Sequence, residues 1–136
     1  MAYCDILYTM RTIKFRVWAS NDEHPNGKMF YSGDDDTSFV INLNGDLIMT
    51  TQTGFVSYDC CFARVGYNDI CVEQFTGLTD KNGVDIYEGD VIKFKWRNYI
   101  ETGPTIFYER LGKWITNGYD GDGVATHGEV IGNIHD

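Results

Sequence analysis

The stretch that decides the fold is residues 74–94, which read QFTGLTDKNGVDIYEGDVIKF. Two strand-like runs flank a first turn at residues 80–83 (DKNG), and a second turn at residues 88–90 (EGD) comes before the chain becomes apolar again. An Asn-Gly pair between alternating hydrophobic residues is a strong hairpin signal, because both of its residues tolerate positive φ angles. The stretch therefore predicts sharply reversed, antiparallel strands.

The same alternation of apolar and polar residues recurs outside this stretch. Residues 11–18 (RTIKFRVW) place Ile13, Phe15 and Val17 on one face of a strand and the residues between them on the other. A second Asn-Gly pair, at residues 44–45, predicts another hairpin. Further strands are expected at residues 38–43, 46–51, 91–96, 105–108, 112–116 and 128–134.

Two segments lack the strand period. Residues 59–64 (DCCFAR) predict a short helix or a turn, and the glycine-rich residues 117–123 predict a turn. Fifteen Gly, two Pro and a 15% share of aromatic residues fit short strands joined by tight turns. The sequence thus predicts an all-β fold with at most one or two short helices, arranged as a small barrel or a sandwich.

The charge of the chain argues against non-specific binding to nucleic acid. Its net charge is -9, and the acidic residues are spread along both halves rather than gathered in a tail. Neutralisation of phosphates dominates nucleic-acid affinity, so an acidic chain is a poor binder. Such a chain can also imitate a nucleic acid for a basic partner, although acidity that serves only solubility is the more common case.

The cysteines indicate a reducing compartment. Cys4, Cys60, Cys61 and Cys71 contain no Cys-x-x-Cys spacing, and we expect no disulfide framework. Neither a signal peptide nor a run of apolar residues long enough for a membrane span is present in the sequence. We expect the protein in the cytoplasm of its host cell, with no membrane partner.

Three blocks of sequence carry a family resemblance. The central block is residues 76–90 (TGLTDKNGVDIYEGD), which follows residues 13–18 (IKFRVW) and precedes residues 129–134 (EVIGNI). With these blocks in this order over residues 11–134, the chain resembles the YopX family of bacteriophage and prophage proteins.

The resemblance implies a β-rich phage or prophage protein whose C-terminal part is similar to an SH3-type barrel. We accordingly expect an antiparallel meander in residues 1–73, in which residues 1–9 are an extension or an alternative start. Residues 74–136 are expected to form the SH3-type barrel, and the two parts to form one compact unit. The resemblance brings no catalytic residue with it. Family members commonly continue past the last block, whereas this sequence stops at residues 135–136, so we expect that a C-terminal element is missing from it.

Turn chemistry in the central block favours an architectural role over a catalytic one. An Asn-Gly pair supplies the positive φ angles of a tight turn, and an Asp before it can accept hydrogen bonds from the amides of the turn. Glycines on either side mark places where the backbone must bend. The predicted structural turn motif consists of Gly77, Asp80, Asn82, Gly83, Glu88, Gly89 and Asp90.

A cation-binding loop is only weakly indicated. Residues 118–123 (GYDGDG), followed by Glu129, match part of an EF-hand loop, but Gly118 stands at the first ligand position. We therefore prefer a solvated turn to a cation site at Asp120 and Asp122. The run of three aspartates at residues 34–36 has the same interpretation. No metal site and no cofactor are expected.

Catalytic patterns are weaker still. His24, His127 and His135 lie in or beside predicted turns or the terminus, and no nucleophile elbow or phosphate-binding loop occurs in the sequence. Glu88 and Asp90 could act as acid and base, but neighbours in a tight turn more commonly accept backbone amides. We expect that the protein is not an enzyme.

Interaction residues are the remaining candidates. Lys93, Lys95 and Arg97 would share one face of a strand as a candidate nucleic-acid contact, with Trp96 on the opposite face and toward the core. We expect a host or phage protein as the partner in preference to nucleic acid. A second copy of the chain could also cover an unpaired strand edge. The candidate partner-binding aromatic residues are Trp18, Tyr87, Trp96, Tyr99 and Trp114.

Overall fold

A computed structural model describes residues 12–23, 25–31, 38–41, 47–51, 54–57 and 69–136. These residues contain twelve strands and one helix, which confirms the all-β class. The strands are β1 (Phe15–Ser20), β2 (Lys28–Tyr31), β3 (Ser38–Ile41), β4 (Leu47–Thr51), β5 (Gly54–Ser57), β6 (Asp69–Thr79), β7 (Asp85–Tyr87), β8 (Asp90–Trp96), β9 (Tyr99–Tyr108), β10 (Lys113–Thr116), β11 (Tyr119–Asp120) and β12 (Glu129–Asn133). The helix is α1 (Gly121–His127).

The strands form three sheets, in which each described pair is antiparallel. A four-stranded sheet has the order β2-β1-β6-β7, and a five-stranded sheet has the order β11-β10-β9-β8-β12. A three-stranded meander has the order β3-β4-β5. Ile41 at the end of β3 pairs with Leu47 at the start of β4, as the hairpin predicted around residues 44–45 requires.

Strand β6 lies between β1 and β7 in the four-stranded sheet. Its first half pairs with β1, and its second half pairs with β7 across an irregularity between Phe75 and Thr79. Gly77 lies within this irregularity and has a φ of 84°. The boundary expected between residues 73 and 74 falls inside β6. The SH3-type closure of the C-terminal part stays a prediction.

A small apolar core lies between helix α1 and the strands of the C-terminal part. Ile92 and Phe94 of β8 are buried with Val124 and Ala125 of α1 and with Ile86 of β7. Burial of an isoleucine, phenylalanine or valine side chain is worth about 1.5–3 kcal/mol, and the methyl group of alanine contributes less. This packing is what holds a helix of only seven residues in place.

Helix α1 corrects the prediction of a glycine-rich turn through residue 123. The Asp120 side chain accepts a hydrogen bond from the Asp122 amide at 3.1 Å and caps the helix, and Thr126 donates to the Asp122 carbonyl at 2.9 Å. Glycine at position 121 permits a close approach, because a Cβ there would lie 2.8 Å from the Trp114 carbonyl oxygen. Capping and packing thus override the low helix propensity of glycine.

Strand β1 follows the predicted alternation on one face only. Val17 and Ala19 are fully buried, as the period indicates, whereas Ile13 lies before the strand and is exposed. Arg16 on the other face is buried as well, because the C-terminal segment covers that face.

Several sequence-based predictions fall outside the described residues. They concern residues 1–11, His24, residues 34–36, residues 44–45 and residues 59–64. Cys4, Cys60 and Cys61 also lie outside them. None of the helices in the described part of the chain has the length and hydrophobicity that crossing a membrane requires.

Candidate functional site

The first turn of the central block is organised around Asp80. Its Oδ1 accepts hydrogen bonds from the amides of Asn82 and Val84 at 2.8 and 3.0 Å. Its Oδ2 accepts a hydrogen bond from the Val130 amide of β12 at 2.9 Å. Gly83 has a φ of 80°, which is the backbone conformation that the Asn-Gly pair predicts. The Asp80 carboxylate therefore links the turn to the last strand.

The pKa of Asp80 reflects these amides. Burial would raise the pKa of the carboxyl group, but the hydrogen bonds from Val130, Val84 and Asn82 outweigh it and lower the pKa below its usual value. A carboxylate that accepts backbone hydrogen bonds is stabilised in its charged form. Asp80 thus binds backbone amides of the chain in its charged form.

The second turn places Asp90 and Gly89 against other parts of the chain. Asp90 Oδ2 accepts a hydrogen bond from the Tyr87 amide at 2.8 Å. The Gly89 amide donates to the Thr105 carbonyl, and the Gly89 carbonyl accepts from the Ile134 amide, both at 2.9 Å. Gly89 has a φ of 84°, so glycine suits this position.

A buried network of charged groups lies behind the second turn. Arg16 of β1 donates to Glu73 of β6 from Nε at 2.9 Å and from Nη2 at 2.7 Å. The same Nη2 lies 2.8 Å from Asp90 Oδ1, and His135 Nε2 contacts Glu73 Oε1. The side chains of Arg16, Glu73 and Asp90 are at most 3% exposed. We call these four residues the ion network.

Burial and charge act against each other in the ion network. Burial tends to lower the pKa of Arg16, but the carboxylates of Asp90 and Glu73 outweigh it and raise the pKa. Burial raises the pKa of Asp90 above its usual value, and the Tyr87 amide and Arg16 offset only part of this effect. The network therefore depends on Arg16 for its neutralising charge.

The carboxylates of Asp80 and Asp90 have partners within the chain. Among the described residues, each buried side-chain nitrogen or oxygen has a hydrogen-bond partner. Glu88, the proposed partner of Asp90 in acid and base chemistry, is half-buried, and its backbone amide donates to Gln74. These hydrogen bonds and ion pairs hold three segments of the chain together.

The five candidate aromatic residues lie in three different places. Trp18 stacks on the His135 ring with a centroid distance of 4.3 Å, and Tyr87 is buried with Arg16 above its ring. Trp114 is half-buried and packs edge-on against Phe107. Trp96 and Tyr99 lie together at the end of the β8–β9 hairpin.

The end of this hairpin is an exposed apolar surface. Trp96 pairs with Tyr99 across the two strands, and Lys95 pairs with Ile100. Trp96 is 47% exposed, Tyr99 is 70% exposed and Ile100 is 67% exposed. The expectation that Trp96 faces the core is therefore wrong, because its strand ends at the edge of the sheet. We call Trp96, Tyr99 and Ile100 the hairpin tip.

A groove of about 280 Å³ adjoins the hairpin tip. Tyr119 lines it and lies between Phe94 and Trp96, with ring-centroid distances of 5.5 and 5.1 Å. The polar residues that line the groove are Lys95, Asp120 and His127. The groove therefore combines an aromatic wall with charged and polar edges.

The basic cluster lies on the same hairpin. Lys93 and Lys95 are exposed on one face of β8, as predicted. Arg97 follows the end of the strand and has a φ of 53°, so it lies in the hairpin turn and does not extend the row of lysines. Lys93 pairs with Glu129 of β12, which places a carboxylate beside it.

Asp120 and Asp122 do not form a cation-binding loop in this arrangement. Asp120 caps helix α1 and forms an ion pair with Lys113 at 3.2 Å. The Asp122 side chain belongs to the first turn of the helix and is exposed. The helix replaces the loop geometry that an EF-hand requires.

Sequence reasoning did not identify Glu73, His135 or Ile100 as site residues. Glu73 and Arg16 occupy alternating strands, where a charged residue usually indicates a solvated face. Their burial depends on a segment more than fifty residues away along the chain. Ile100 follows Tyr99 directly, and two successive large apolar residues after a turn were the available signal for the hairpin tip.

The comparison with family models identifies the chain. The model described as YopX protein matches residues 14–136. The chain belongs to the YopX family. The three blocks of the family resemblance meet in the structure, since Arg16 of the first block contacts Asp90 of the second, and Ile134 of the third binds Gly89.

A solved structure has the same fold as this YopX family member. It is the crystal structure of protein EF1440 from Enterococcus faecalis, with a TM-score of 0.59 and 23% sequence identity. The match covers 93% of this chain and 95% of the other. At this identity the likeness concerns the fold alone. No curated protein matches the chain.

Proposed function

We propose that the protein is a non-enzymatic accessory protein of a phage or prophage, which acts in the host cytoplasm as a small β-barrel interaction module for a protein partner. The observation that carries this proposal is the exposure of Trp96, Tyr99 and Ile100 together at one hairpin end. Aromatic residues are enriched at the centres of protein interfaces, where they supply much of the binding energy.

The surroundings of the hairpin tip favour a protein partner with an apolar side chain and negative charge. The groove beside Trp96 offers space for an apolar side chain against the ring of Tyr119. Lys95 directly precedes Trp96 and Arg97 directly follows it, so two positive charges flank the tip along the chain. A protein segment that carries an apolar side chain flanked by carboxylates complements this surface.

The contacts of the acidic residues support a role without catalysis. Asp80 binds backbone amides, and Glu73 and Asp90 bind Arg16. Carboxylates that act as general acids or bases must reach a substrate, whereas these three contact the chain itself. The central block then serves to hold the scaffold that presents the hairpin tip.

Nucleic-acid binding is the second candidate, and the same hairpin supports it. Exposed aromatic rings beside Lys93 and Lys95 are the combination with which small barrels hold single strands. The net charge of -9 opposes this candidate, because two or three basic residues compensate little of it. The same acidity also leaves open an imitation of nucleic acid in phage replication or in evasion of host defence.

The experiment compares capture by the wild-type chain and by two variants from infected or prophage-carrying cells, with and without nuclease. The double variant Trp96→Ala/Tyr99→Ser removes both aromatic side chains from the hairpin tip. Tyr108→Ser is the matched control, since Tyr108 is an exposed tyrosine at the other end of β9. A photo-reactive residue at position 99 provides an independent readout, because it crosslinks only what touches the tip.

The expected result is one protein, crosslinked at position 99 and recovered in near-equal amount despite nuclease. It should be lost with the double variant and retained with Tyr108→Ser. Capture that the double variant leaves intact would contradict the proposal. Capture that nuclease abolishes, with binding of a labelled single-stranded oligonucleotide that falls in Lys93→Ala/Lys95→Ala, would establish the second candidate instead. A dimer crosslinked through position 99 would show that the tip binds a second copy.

A further inference from the structure

Three side chains with metal-binding atoms converge beside the ion network. Cys71 and Glu73 are two residues apart on β6, so they project from the same face of the strand. His135 reaches this face from the segment that follows β12. The thiol sulfur, a carboxylate oxygen and an imidazole nitrogen all lie within 4.8 Å of one another.

We propose that Cys71, Glu73 and His135 bind a zinc ion. Zinc favours tetrahedral coordination by thiolate, imidazole and carboxylate, with bond lengths of about 2.0–2.3 Å. Three such donors within 4.8 Å need to move by only about an ångström to surround one ion at these bond lengths. The fourth position then belongs to water or to a group from a partner.

The charges around the three residues favour a divalent cation. Arg16 neutralises one of the two carboxylates of Glu73 and Asp90, and the other is left without a full counter-charge. A zinc ion supplies two positive charges, which would balance this second carboxylate and a Cys71 thiolate. The cation would thus complete the charge balance of a site that is largely closed to solvent.

Neighbouring residues hold two of the donors in the required orientation. Both hydrogen bonds from Arg16 go to Glu73 Oε2, which leaves Oε1 directed at His135. Trp18 stacks on the His135 ring at an interplanar angle of 5° and fixes its plane. Hydrogen bonds to ligating carboxylates and fixed imidazole planes are the usual outer support of zinc sites.

The donor atoms of the three residues distinguish zinc from harder ions, and their burial leaves an ion access to the site. Glu73 is buried, whereas Cys71 and His135 are half-buried, so an ion has a path to the donors from solvent. Magnesium and calcium require mainly oxygen ligands, and this site offers a thiolate and an imidazole. Binding at this site is independent of the partner surface, because its residues differ from those of the hairpin tip.

The test uses the full chain with Cys4, Cys60 and Cys61 replaced by serine, so that Cys71 is the remaining thiol. Cobalt is added as a spectroscopic probe, and zinc is then added to displace it. We expect a thiolate-to-cobalt charge-transfer band at one ion per chain. Zinc X-ray absorption should show one sulfur neighbour at about 2.3 Å. NMR of the ring nitrogens should show a zinc-dependent shift for His135, with none for His24 and His127.

Cys71→Ser and His135→Gln should each lower the zinc affinity by more than about tenfold. A loss of about tenfold already results when only an outer hydrogen-bond partner of a metal ligand is removed. His127→Gln is the matched control and should leave the affinity unchanged, because His127 lies in the groove. The absence of a charge-transfer band in excess cobalt would overturn the proposal, as would unchanged zinc affinity in either ligand variant. The NMR and absorption measurements use chains with all three ligands intact, so they remain decisive if a variant unfolds.

Discussion

Asp80 accepts a hydrogen bond from the backbone amide of Val130, fifty residues further along the chain, at a distance of 2.9 Å. The other oxygen of the same carboxylate binds the two amides of its own turn. One side chain thus shapes a hairpin and attaches the last strand to it. The central block therefore joins parts of the fold that are distant along the chain.

Replacement of Asp80 should destabilise the protein substantially. Asp80→Ala leaves three backbone amides without their acceptor, and we expect a loss of about 2–4 kcal/mol in the free energy of unfolding. Asp80→Asn keeps one oxygen as acceptor for the turn and places its NH2 group, a donor, against the Val130 amide, so its loss should be smaller than that of Asp80→Ala. Urea denaturation measures both values. Equal stability of wild type and Asp80→Ala would show that the carboxylate contributes no net stabilisation.

The contribution of Asp80 should also disappear in acid. The pKa of Asp80 is lower in the folded chain than in the unfolded chain, where an aspartate has a value of about 3.9. Its stabilisation is therefore complete above that value and is lost as the pH falls through the folded pKa. The difference in unfolding free energy between wild type and Asp80→Ala should be constant from neutral pH to about pH 5 and shrink below about pH 4. A difference that grows in acid would contradict this sign.

Arg16 should be far more important for stability than Lys14, two residues away on the same side of the strand. Arg16→Met leaves the buried carboxylates of Glu73 and Asp90 without their cation, and we expect a loss of about 3–5 kcal/mol. Lys14→Met is the matched control. Its pair with Asp85 is partly exposed, so the loss should be at most about 1 kcal/mol.

Thermal and urea denaturation of both variants test this difference. Addition of Asp90→Asn to Arg16→Met should recover part of the lost stability, because it removes one of the two uncompensated carboxylates. Similar losses for Arg16→Met and Lys14→Met would show that the ion network contributes no more than a surface pair.

Gly89→Ala should test how closely the second turn packs on the ion network. A Cβ at position 89 would lie 3.3 Å from three atoms of the Glu73 carboxyl group, and the φ of 84° is itself unfavourable for alanine. We expect a loss of about 1–3 kcal/mol from the backbone conformation, with a further contribution from the contact. The measurement is again the free energy of unfolding in urea.

Gly77→Ala is the control for backbone strain. Gly77 has the same φ of 84°, but a Cβ there would meet no atom within 4 Å. The decrease in unfolding free energy for Gly77→Ala should therefore reflect the backbone strain alone, and the decrease for Gly89→Ala should be larger. Equal decreases in unfolding free energy for the two variants would show that the contact with Glu73 does not destabilise the protein.

The sequence predicts local features of this fold well and long-range features poorly. The positive φ of Gly83 and the two turn amides bound by Asp80 follow from the Asn-Gly pair and the preceding Asp. The bond from Val130 and the burial of Arg16 do not, because alternation identifies two faces of a strand without identifying what covers each.

The remaining differences have local physical causes. The glycines of residues 117–123 predict a turn because glycine has a low helix propensity, but the cap at Asp120 and the burial of Val124 stabilise helix α1. Trp96 was placed in the core because it shares a face with Phe94. Phe94 is buried, whereas Trp96 is the last residue of β8 and is 47% exposed although it contacts Tyr119.

The ion network also constrains how the protein is made in the cell. Arg16 is synthesised before its partner Glu73, and Glu73 is synthesised 62 residues before His135, which contacts its second carboxylate oxygen. Until His135 has been synthesised, the face of β1 that carries Arg16 and Trp18 lacks the residue that covers it in the fold. A nascent chain of this kind depends on chaperones to remain unaggregated during that interval. Slow translation between the codons of Glu73 and His135 should accordingly reduce the yield of folded protein.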